Sequence, residues 1–345
     1  MEKKNAVINK SINKKSSFQK YVLCALMIVI GLTGGYFLGF FIKKHQDGRV
    51  VKDPLGLKEV RAGGYRFINP LLECDNRYSA TNENLVRLQN SLNEYIDNAL
   101  KTGIVTHISV YYRSLNNGPW LGINENYNYQ PASLLKVPLL IAVLKKAESD
   151  TTFLHKKILY DKILNCVTTY IVDKESLILG NTYTVNQLLE YMIIHSDNDA
   201  KEILYKILGE AYIHNVMAEC GMNLDNVDMS MDFITVKEYS SFFRILYNSS
   251  YLNRDMSEKA LELLSRVAFN EGIPAKLPKN IKVAHKYGER AFIDNDIKQF
   301  HDCGIVYAPN SPYLICVMTK GKDFGQLVKI IADISGIVYD AVGKD

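Results

Sequence analysis

The stretch YQPASLLKVPLLIAVL, residues 129–144, is the most informative part of this chain. Its apolar run predicts a helix that begins near Ser133. Residues three apart share one face of a helix, so the amine of Lys136 should lie beside the Ser133 hydroxyl. A serine hydroxyl becomes a good nucleophile when a neighbouring base removes its proton, and a buried lysine can be neutral enough to act as that base.

The spacing of this serine and lysine is common in unrelated proteins, where it marks a helix cap followed by a surface lysine. Here Lys136 lies between Leu135 and Val137 in a strongly apolar segment. An unpaired charge would be costly in such a segment. The context therefore favours a lysine with a chemical task over one that is merely solvated.

Two further short motifs carry polar groups. Ser196-Asp197-Asn198 follows an apolar helical stretch and precedes another, so it can be a simple helix cap or can aim a hydroxyl and an amide into a cleft. His285-Lys286-Tyr287-Gly288 follows a predicted strand, where it would place a positive charge and a closely approaching backbone at the strand edge. Each motif alone is weak evidence for a site.

In this order and context, the three motifs resemble the active-site set of the class A β-lactamases and penicillin-binding proteins. Residues 283–286 and 302–307 also resemble the strands that carry and follow the third motif in that family. The resemblance covers about residues 84–345. It implies a serine hydrolase that forms an acyl-enzyme, with no metal or cofactor.

The resemblance implies a role for each matched residue. Ser133 would form the acyl-enzyme, and Lys136 would act as base or proton relay. Ser196 would pass a proton to the leaving nitrogen and Asn198 would bind the substrate amide. Lys286 would supply positive potential for a substrate carboxylate.

The third motif also contributes its backbone and departs from the family pattern. The N–H groups of Ser133 and Glu289 would form the oxyanion hole, in which each donor contributes about 3 to 4 kcal/mol. Gly288 would allow close approach of the backbone, and Tyr287 stands where the family has threonine or serine. Arg290 is a candidate to replace the missing small hydroxyl in binding the carboxylate.

A second departure concerns release of the acyl group. Class A β-lactamases use a glutamate between the second and third motifs to activate water. The residues before Ile234 offer Asp225, Asp228 and Asp232 but no glutamate. We therefore expect slow deacylation, with an aspartate as replacement base as the alternative.

Hydrophobic periodicity and the resemblance predict an α/β fold with αβα layers, in which an antiparallel sheet is flanked by N- and C-terminal helices and carries an all-helical lobe. The sheet would be assembled from both ends of the domain. The predicted elements are a helix from about 84, strands at 105–113 and 120–123, a helical lobe at about 133–270, strands at 281–285, 304–308 and 313–319, and a helix at 324–342.

The N-terminal region predicts a membrane anchor. Residues 21–42 are uncharged and mostly apolar, which is long enough to cross the roughly 30 Å hydrocarbon layer. Lysines are denser before this segment than after it, so residues 1–20 should form a cytoplasmic tail and the rest should lie outside the membrane. A cleaved signal peptide is the alternative, although no small-x-small cleavage pattern follows. Residues 43–83 would be a stalk with a structured patch near residues 65–74, and residues 84–345 the hydrolase domain.

Composition excludes several other classes. The chain has 345 residues, 47% of them hydrophobic, which gives ample material for a large core. Its net charge of only +4 gives little support for nucleic-acid binding. Its six cysteines show no zinc spacing. Those in apolar surroundings, such as Cys316, are expected to be buried unpaired thiols, with a single disulfide as the alternative. The sequence leaves the oligomeric state open.

Two functional hypotheses follow. The first is an active serine enzyme that acylates on β-lactams, peptidoglycan stem peptides or a related amide or ester. The second is a catalytically idle scaffold or cell-wall binding module that keeps the fold, which Tyr287 and the missing glutamate favour. Retention of the whole polar set argues for the enzyme.

Overall fold

A computed structural model describes most of the chain after residue 56. The described residues are 57–61, 64–76, 83–116, 118–164, 169–171, 175–222, 224, 227–292 and 296–342. The predicted cytoplasmic tail and membrane segment lie outside these residues, as does much of the predicted stalk. Among the described helices, none is both long and apolar enough to span a membrane.

The main strands and helices after residue 83 follow the predicted order, and the structure adds one strand pair before them and another within the helical lobe. The strands are β1 (Leu57–Arg61), β2 (Leu71–Asn76), β3 (Val105–Ser114), β4 (Trp120–Ile123), β5 (Lys157–Leu159), β6 (Thr182–Thr184), β7 (Val283–Phe292), β8 (Ile297–Val306) and β9 (Tyr313–Gly321). The helices are α1 (Glu83–Leu100), α2 (Lys136–Ser149), α3 (Val185–Ile194), α4 (Asn198–Leu208), α5 (Glu210–Glu219), α6 (Val236–Asn248), α7 (Arg254–Leu264) and α8 (Phe324–Val342).

The central sheet has five antiparallel strands in the order β4-β3-β9-β8-β7. It is therefore built from both ends of the domain, as predicted. The terminal helices α1 and α8 pack together and against this sheet, while α2 to α7 form the helical lobe. Strand β7 lies at one end of the strand order and packs against the 3₁₀ turn Ala132–Leu135 that precedes α2. This contact joins the lobe to the sheet at the predicted nucleophile.

The third motif lies inside a strand, which corrects the prediction that it follows one. Strand β7 continues to Phe292, and it pairs with β8 over its whole length, from Val283 opposite Val306 to Phe292 opposite Ile297. The glycine and charges of this motif disfavour a strand locally, but pairing with a long neighbour overrides that preference. Lys286 and Gly288 thus stand in the middle of β7.

The prediction of unpaired thiols is wrong for two cysteines. Cys303 on β8 and Cys316 on β9 are directly opposite each other, with Cα atoms 4.0 Å apart, and form a buried disulfide. An apolar context cannot reveal this pairing because it depends on strand register. Cys220 is a buried free thiol, as expected. Cys24 and Cys166 lie outside the described residues.

Part of the predicted stalk docks on the domain. The carboxylate of Glu258 on α7 accepts hydrogen bonds of 2.9 to 3.1 Å from the backbone N–H groups of Arg66, Phe67 and Ile68. The side chains of Phe67 and Ile68 are buried, and the Tyr307 hydroxyl donates to the Phe67 carbonyl over 2.9 Å. The structured patch predicted in the stalk is therefore part of the folded domain.

Candidate active site

The turn that carries Ser133 is held by polar contacts before and after it. Ala132 adopts a left-handed backbone conformation with φ of 49°, which is uncommon for a residue with a side chain. Its N–H donates to the side-chain oxygen of Gln130 over 2.7 Å. The Tyr239 hydroxyl donates to the Leu134 carbonyl over 2.9 Å. These contacts fix where the helix begins and hence where the serine hydroxyl points.

Lys136 is buried among polar atoms of the first and second motifs. Its Nζ lies 3.1 Å from Ser133 Oγ, 3.0 Å from Ser196 Oγ, 2.5 Å from the Ser196 carbonyl and 2.8 Å from Asn198 Oδ1. Its side chain is 2% exposed. Burial, reinforced by the charge of Lys286, holds the pKa of this amine well below its usual range. This shift favours the neutral amine, which is the form that can accept a proton from Ser133.

Ser196 occupies a sharp break between α3 and α4. Its φ of 55° is left-handed, and this conformation turns both its carbonyl and its hydroxyl toward Lys136. Asp197 caps α4 by accepting from the Ala200 N–H over 2.7 Å. A non-glycine residue held at positive φ by its surroundings is typical of a functional site.

Lys286 reaches the same serine from the sheet. Its Nζ lies 2.9 Å from Ser196 Oγ and 3.1 Å from the Tyr287 carbonyl, and the side chain is fully buried. Burial lowers the pKa of Lys286 to about 7, although Asp302 and Glu289 oppose this shift. Ser196 Oγ therefore stands between two amines, one from each lobe.

Gly288 permits the close contact between β7 and the serine turn. A Cβ atom at this position would lie 2.8 Å from the Pro131 carbonyl oxygen and 3.0 Å from the Leu134 nitrogen. Both are backbone atoms that cannot move aside without shifting the turn. The predicted role of this glycine in close approach is thus explained by its neighbours.

The other predicted binding residues of β7 have different surroundings. The Tyr287 ring is buried beside the rings of Phe269 and Phe300, with centroids 4.6 and 6.0 Å away. Arg290 is exposed, with its guanidinium 5.7 Å from the Phe292 ring centroid. Among the described residues, neither Tyr287 nor Arg290 makes a hydrogen bond to Ser133. Their role in carboxylate binding stays a prediction.

The candidate bases for deacylation are engaged elsewhere. Asp228 accepts from the Ser230 N–H and hydroxyl over 2.9 and 2.7 Å within its own loop. Asp232 accepts from Gln299 over 2.7 Å and pairs with Lys320 over 2.9 Å. Asp225 lies outside the described residues. Within the described residues, Lys136 and Ser133 make no hydrogen bond to a carboxylate.

Three carboxylates in or near the motifs have side-chain contacts that were not anticipated from the sequence. Glu289 accepts from the Ile171 N–H, Asp197 from the Leu177 N–H, and Asp199 from the Leu164 N–H. All three hold the connection between β5 and β6. The sequence shows that these carboxylates lie in or next to the motifs. It does not show their backbone partners, because these depend on the path of the connection between β5 and β6.

The arrangement can perform acyl transfer in chemical terms. A hydroxyl is paired with an amine that favours its neutral form, and a second hydroxyl is shared by two amines. Nucleophile, base and proton donor are thus connected by hydrogen bonds without any intervening gap. This connection is what nucleophilic catalysis by serine requires.

Comparison with known proteins places this site in a family. Residues 88–342 match the sequence model Beta-lactamase2, described as the β-lactamase enzyme family. The β-lactamase VEB-1 of Pseudomonas aeruginosa is 24% identical over 266 residues, which cover 71% of this chain and 88% of that protein. The extended-spectrum β-lactamase PER-1 of the same organism is 21% identical over 236 residues, covering 63% and 76%.

Solved structures share the fold. A class A β-lactamase representative from Bacteroides cellulosilyticus superposes with a TM-score of 0.65 at 21% identity, covering 75% of this chain and 99% of that one. The acyl-enzyme complex of a point mutant of PBP-A with penicillin G gives a TM-score of 0.61 at 22% identity, covering 74% of this chain and 96% of that one. Because the family match spans most of the chain and the fold agrees, the chain belongs to the β-lactamase enzyme family.

Proposed function

We propose that this protein forms an acyl-enzyme at Ser133 with β-lactams or peptidoglycan-like amides. The observation that carries the proposal is the position of Lys136, whose Nζ lies within 3.1 Å of both Ser133 Oγ and Ser196 Oγ. The names of its relatives, β-lactamases and a penicillin-bound PBP-A, support β-lactams as one substrate class.

The acylation step follows from this geometry. Neutral Lys136 accepts the Ser133 proton as Ser133 Oγ bonds to the substrate carbonyl carbon. The C–N bond then breaks, and the Ser196 hydroxyl passes a proton to the leaving nitrogen while the lysines resupply it. The products are an ester at Ser133 and an amine, which leaves when the substrate is an acyclic amide and stays attached to the acyl group when it is a β-lactam, so no co-reactant is needed. Asn198 and the backbone N–H of Glu289 would hold the substrate amide and the oxyanion.

We further propose that deacylation is slow. Water must be activated to hydrolyse the ester, and the carboxylates of Asp228 and Asp232 are occupied by other partners. An ester that is hydrolysed much more slowly than it forms suits a penicillin-binding or peptidase-like role better than efficient β-lactam turnover.

A burst experiment tests both parts of this proposal. A chromogenic β-lactam is mixed with the enzyme, and the released chromophore is followed through the first turnover. We expect a burst equal to the enzyme concentration followed by a much slower steady rate. Rapid linear turnover would contradict slow deacylation, and the absence of any burst or turnover would favour the idle module.

We also propose that residues 21–42 anchor the protein in the cell membrane with the hydrolase domain outside. The apolar length of this segment and the excess of lysine before it support this arrangement. Membrane fractionation of cells that express the full chain, with protease added from outside, tests the proposal. Recovery of the intact chain in the soluble fraction would refute the anchor.

A further inference from the structure

The connection between β5 and β6 leaves the helical lobe and contacts the sheet beside the active site. Both carboxylate oxygens of Glu289 accept a hydrogen bond from the Ile171 N–H, over 3.1 and 3.2 Å. One side chain of β7 therefore holds the Ile171 backbone through both of its carboxylate oxygens.

A contact between two aromatic rings also attaches this connection to the C-terminal helix α8. The Tyr170 ring stacks on the ring of Phe324, with centroids 4.8 Å apart and planes inclined by 21°. Phe324 is the first residue of α8, which packs on the sheet. Residues 169–171 thus contact two separate elements of the α/β layer.

The same connection is anchored on the opposite side of the site. Asp199 accepts from the Leu164 N–H over 2.9 Å, and Asp197 accepts from the Leu177 N–H over 3.3 Å. These two aspartates flank Asn198 in the second motif. The connection is therefore held by carboxylates from both lobes, with Ser133, Lys136 and Ser196 between these lobes.

This placement restricts the space next to the predicted oxyanion hole. Glu289 supplies a predicted donor through its backbone N–H and holds residues 169–171 through its side chain. Strand β7 ends the sheet order, so its outer edge is the surface along which an extended acyl group would run. Such a group would meet residues 169–171 as soon as it passed Glu289.

We propose that Glu289 is a specificity-determining residue that pins residues 169–171 across the cleft, so that acyl donors with small side groups react at Ser133 and those with long side groups are excluded. This inference rests on the proposed acylation of Ser133. It assigns the side chain of Glu289 a role separate from that of its backbone.

Two penicillins of different size test the inference on the full-length protein in detergent. One is benzylpenicillin, and the other carries a large fluorophore on its acyl amide. The measured quantity is the ratio of their acylation rate constants, large over small. We expect this ratio to rise at least 10-fold in Glu289→Ala and less in Glu289→Gln, whose amide oxygen can still accept from the backbone.

Two further variants separate this role from general destabilisation. Tyr170→Ala removes the ring contact on Phe324 from a half-exposed position outside the catalytic set, and it should also raise the ratio. Glu258→Ala removes a carboxylate that likewise holds backbone N–H groups, at residues 66–68, and it should leave the ratio unchanged. Thermal unfolding of each variant confirms that it is folded.

The outcomes are distinct. An unchanged ratio in both Glu289→Ala and Tyr170→Ala, with acylation still observed, would overturn the inference and leave the proposed function intact. If neither penicillin acylates the unmodified protein, the proposed function fails and the inference falls with it. A ratio that rises equally in Glu258→Ala would show a general loosening of the domain and would also overturn it.

Discussion

The amine of Lys136 lies 3.1 Å from the hydroxyl of Ser133 although the lysine side chain is only 2% exposed. A charged ammonium would lose much of its hydration at this site, so burial favours the neutral amine. The same burial that costs stability therefore prepares a base beside the nucleophile. Such a compromise is common in active sites.

Replacing Lys136 by arginine tests its role as base. Arginine keeps a positive charge but does not lose a proton in proteins. We expect the acylation rate of Lys136→Arg to fall by a factor of about 10² to 10⁴, the usual contribution of general acid–base catalysis. Stopped-flow acylation with a penicillin measures the effect. A loss of less than threefold would show that the lysine serves only as a charge.

Gly288→Ala should push the serine turn away from β7. The new Cβ would clash with backbone atoms of Pro131 and Leu134, so we expect a loss of about 1 to 3 kcal/mol in the free energy of unfolding. A displacement near 1 Å should also slow acylation about 100-fold. Gly325→Ala is the matched control, because the nearest atom to its Cβ would be 3.4 Å away. Equal effects of the two changes would contradict the explanation.

Lys286→Met should stabilise the protein, most strongly at low pH. The pKa of Lys286 is lowered to about 7, so below pH 7 the folded protein carries a buried charge. Between pH 7 and about 10.5 the unfolded chain binds the proton that the folded one has lost, so the cost of this lysine declines as pH rises. We expect Lys286→Met to add about 1 to 4 kcal/mol at pH 6 and much less at pH 10.

Denaturant unfolding of both proteins at pH 6 and pH 10 measures this difference. Acylation by a carboxylate-bearing penicillin should fall in Lys286→Met, which separates function from stability. A stabilisation that is the same at both values of pH would show that the pKa of Lys286 is not lowered.

The docked stalk residues should contribute to stability but not to catalysis. Glu258→Ala leaves the N–H groups of residues 66–68 without their carboxylate, and we expect it to cost about 2 kcal/mol. Glu262→Ala on the same helix removes a half-exposed ion pair with Arg266 and should cost less than 1 kcal/mol. Thermal unfolding compares the two variants. Equal melting temperatures would mean that residues 66–68 do not dock in solution.

The sequence predicted those parts of the fold that depend on local pattern. The periodicity of residues 84–100 and 324–342 indicated α1 and α8, and the β-branched run at 105–113 indicated β3. The three motifs were also sufficient to bring Ser133, Lys136, Ser196, Asn198 and Lys286 into one prediction. Residue type and helical spacing carry this information directly.

The parts that were missed depend on strand register or on the path of a loop. The disulfide between Cys303 and Cys316 follows from which residues of β8 and β9 are opposite, which apolar composition does not specify. The hydrogen bond from Ile171 to Glu289 joins residues far apart in the chain. Neither Tyr170 nor Ile171 has a sequence context that distinguishes it from an ordinary loop residue.

The function proposed for this protein depends on Ser133 being the nucleophile of an acyl-enzyme. The most direct test incubates the protein with benzylpenicillin and follows intact mass, with Ser133→Ala as control. We predict a long-lived adduct with the mass of one penicillin on the unmodified protein and none on Ser133→Ala. An adduct that persists in Ser133→Ala, or no adduct on either protein with penicillin or with a stem-peptide ester, would contradict it.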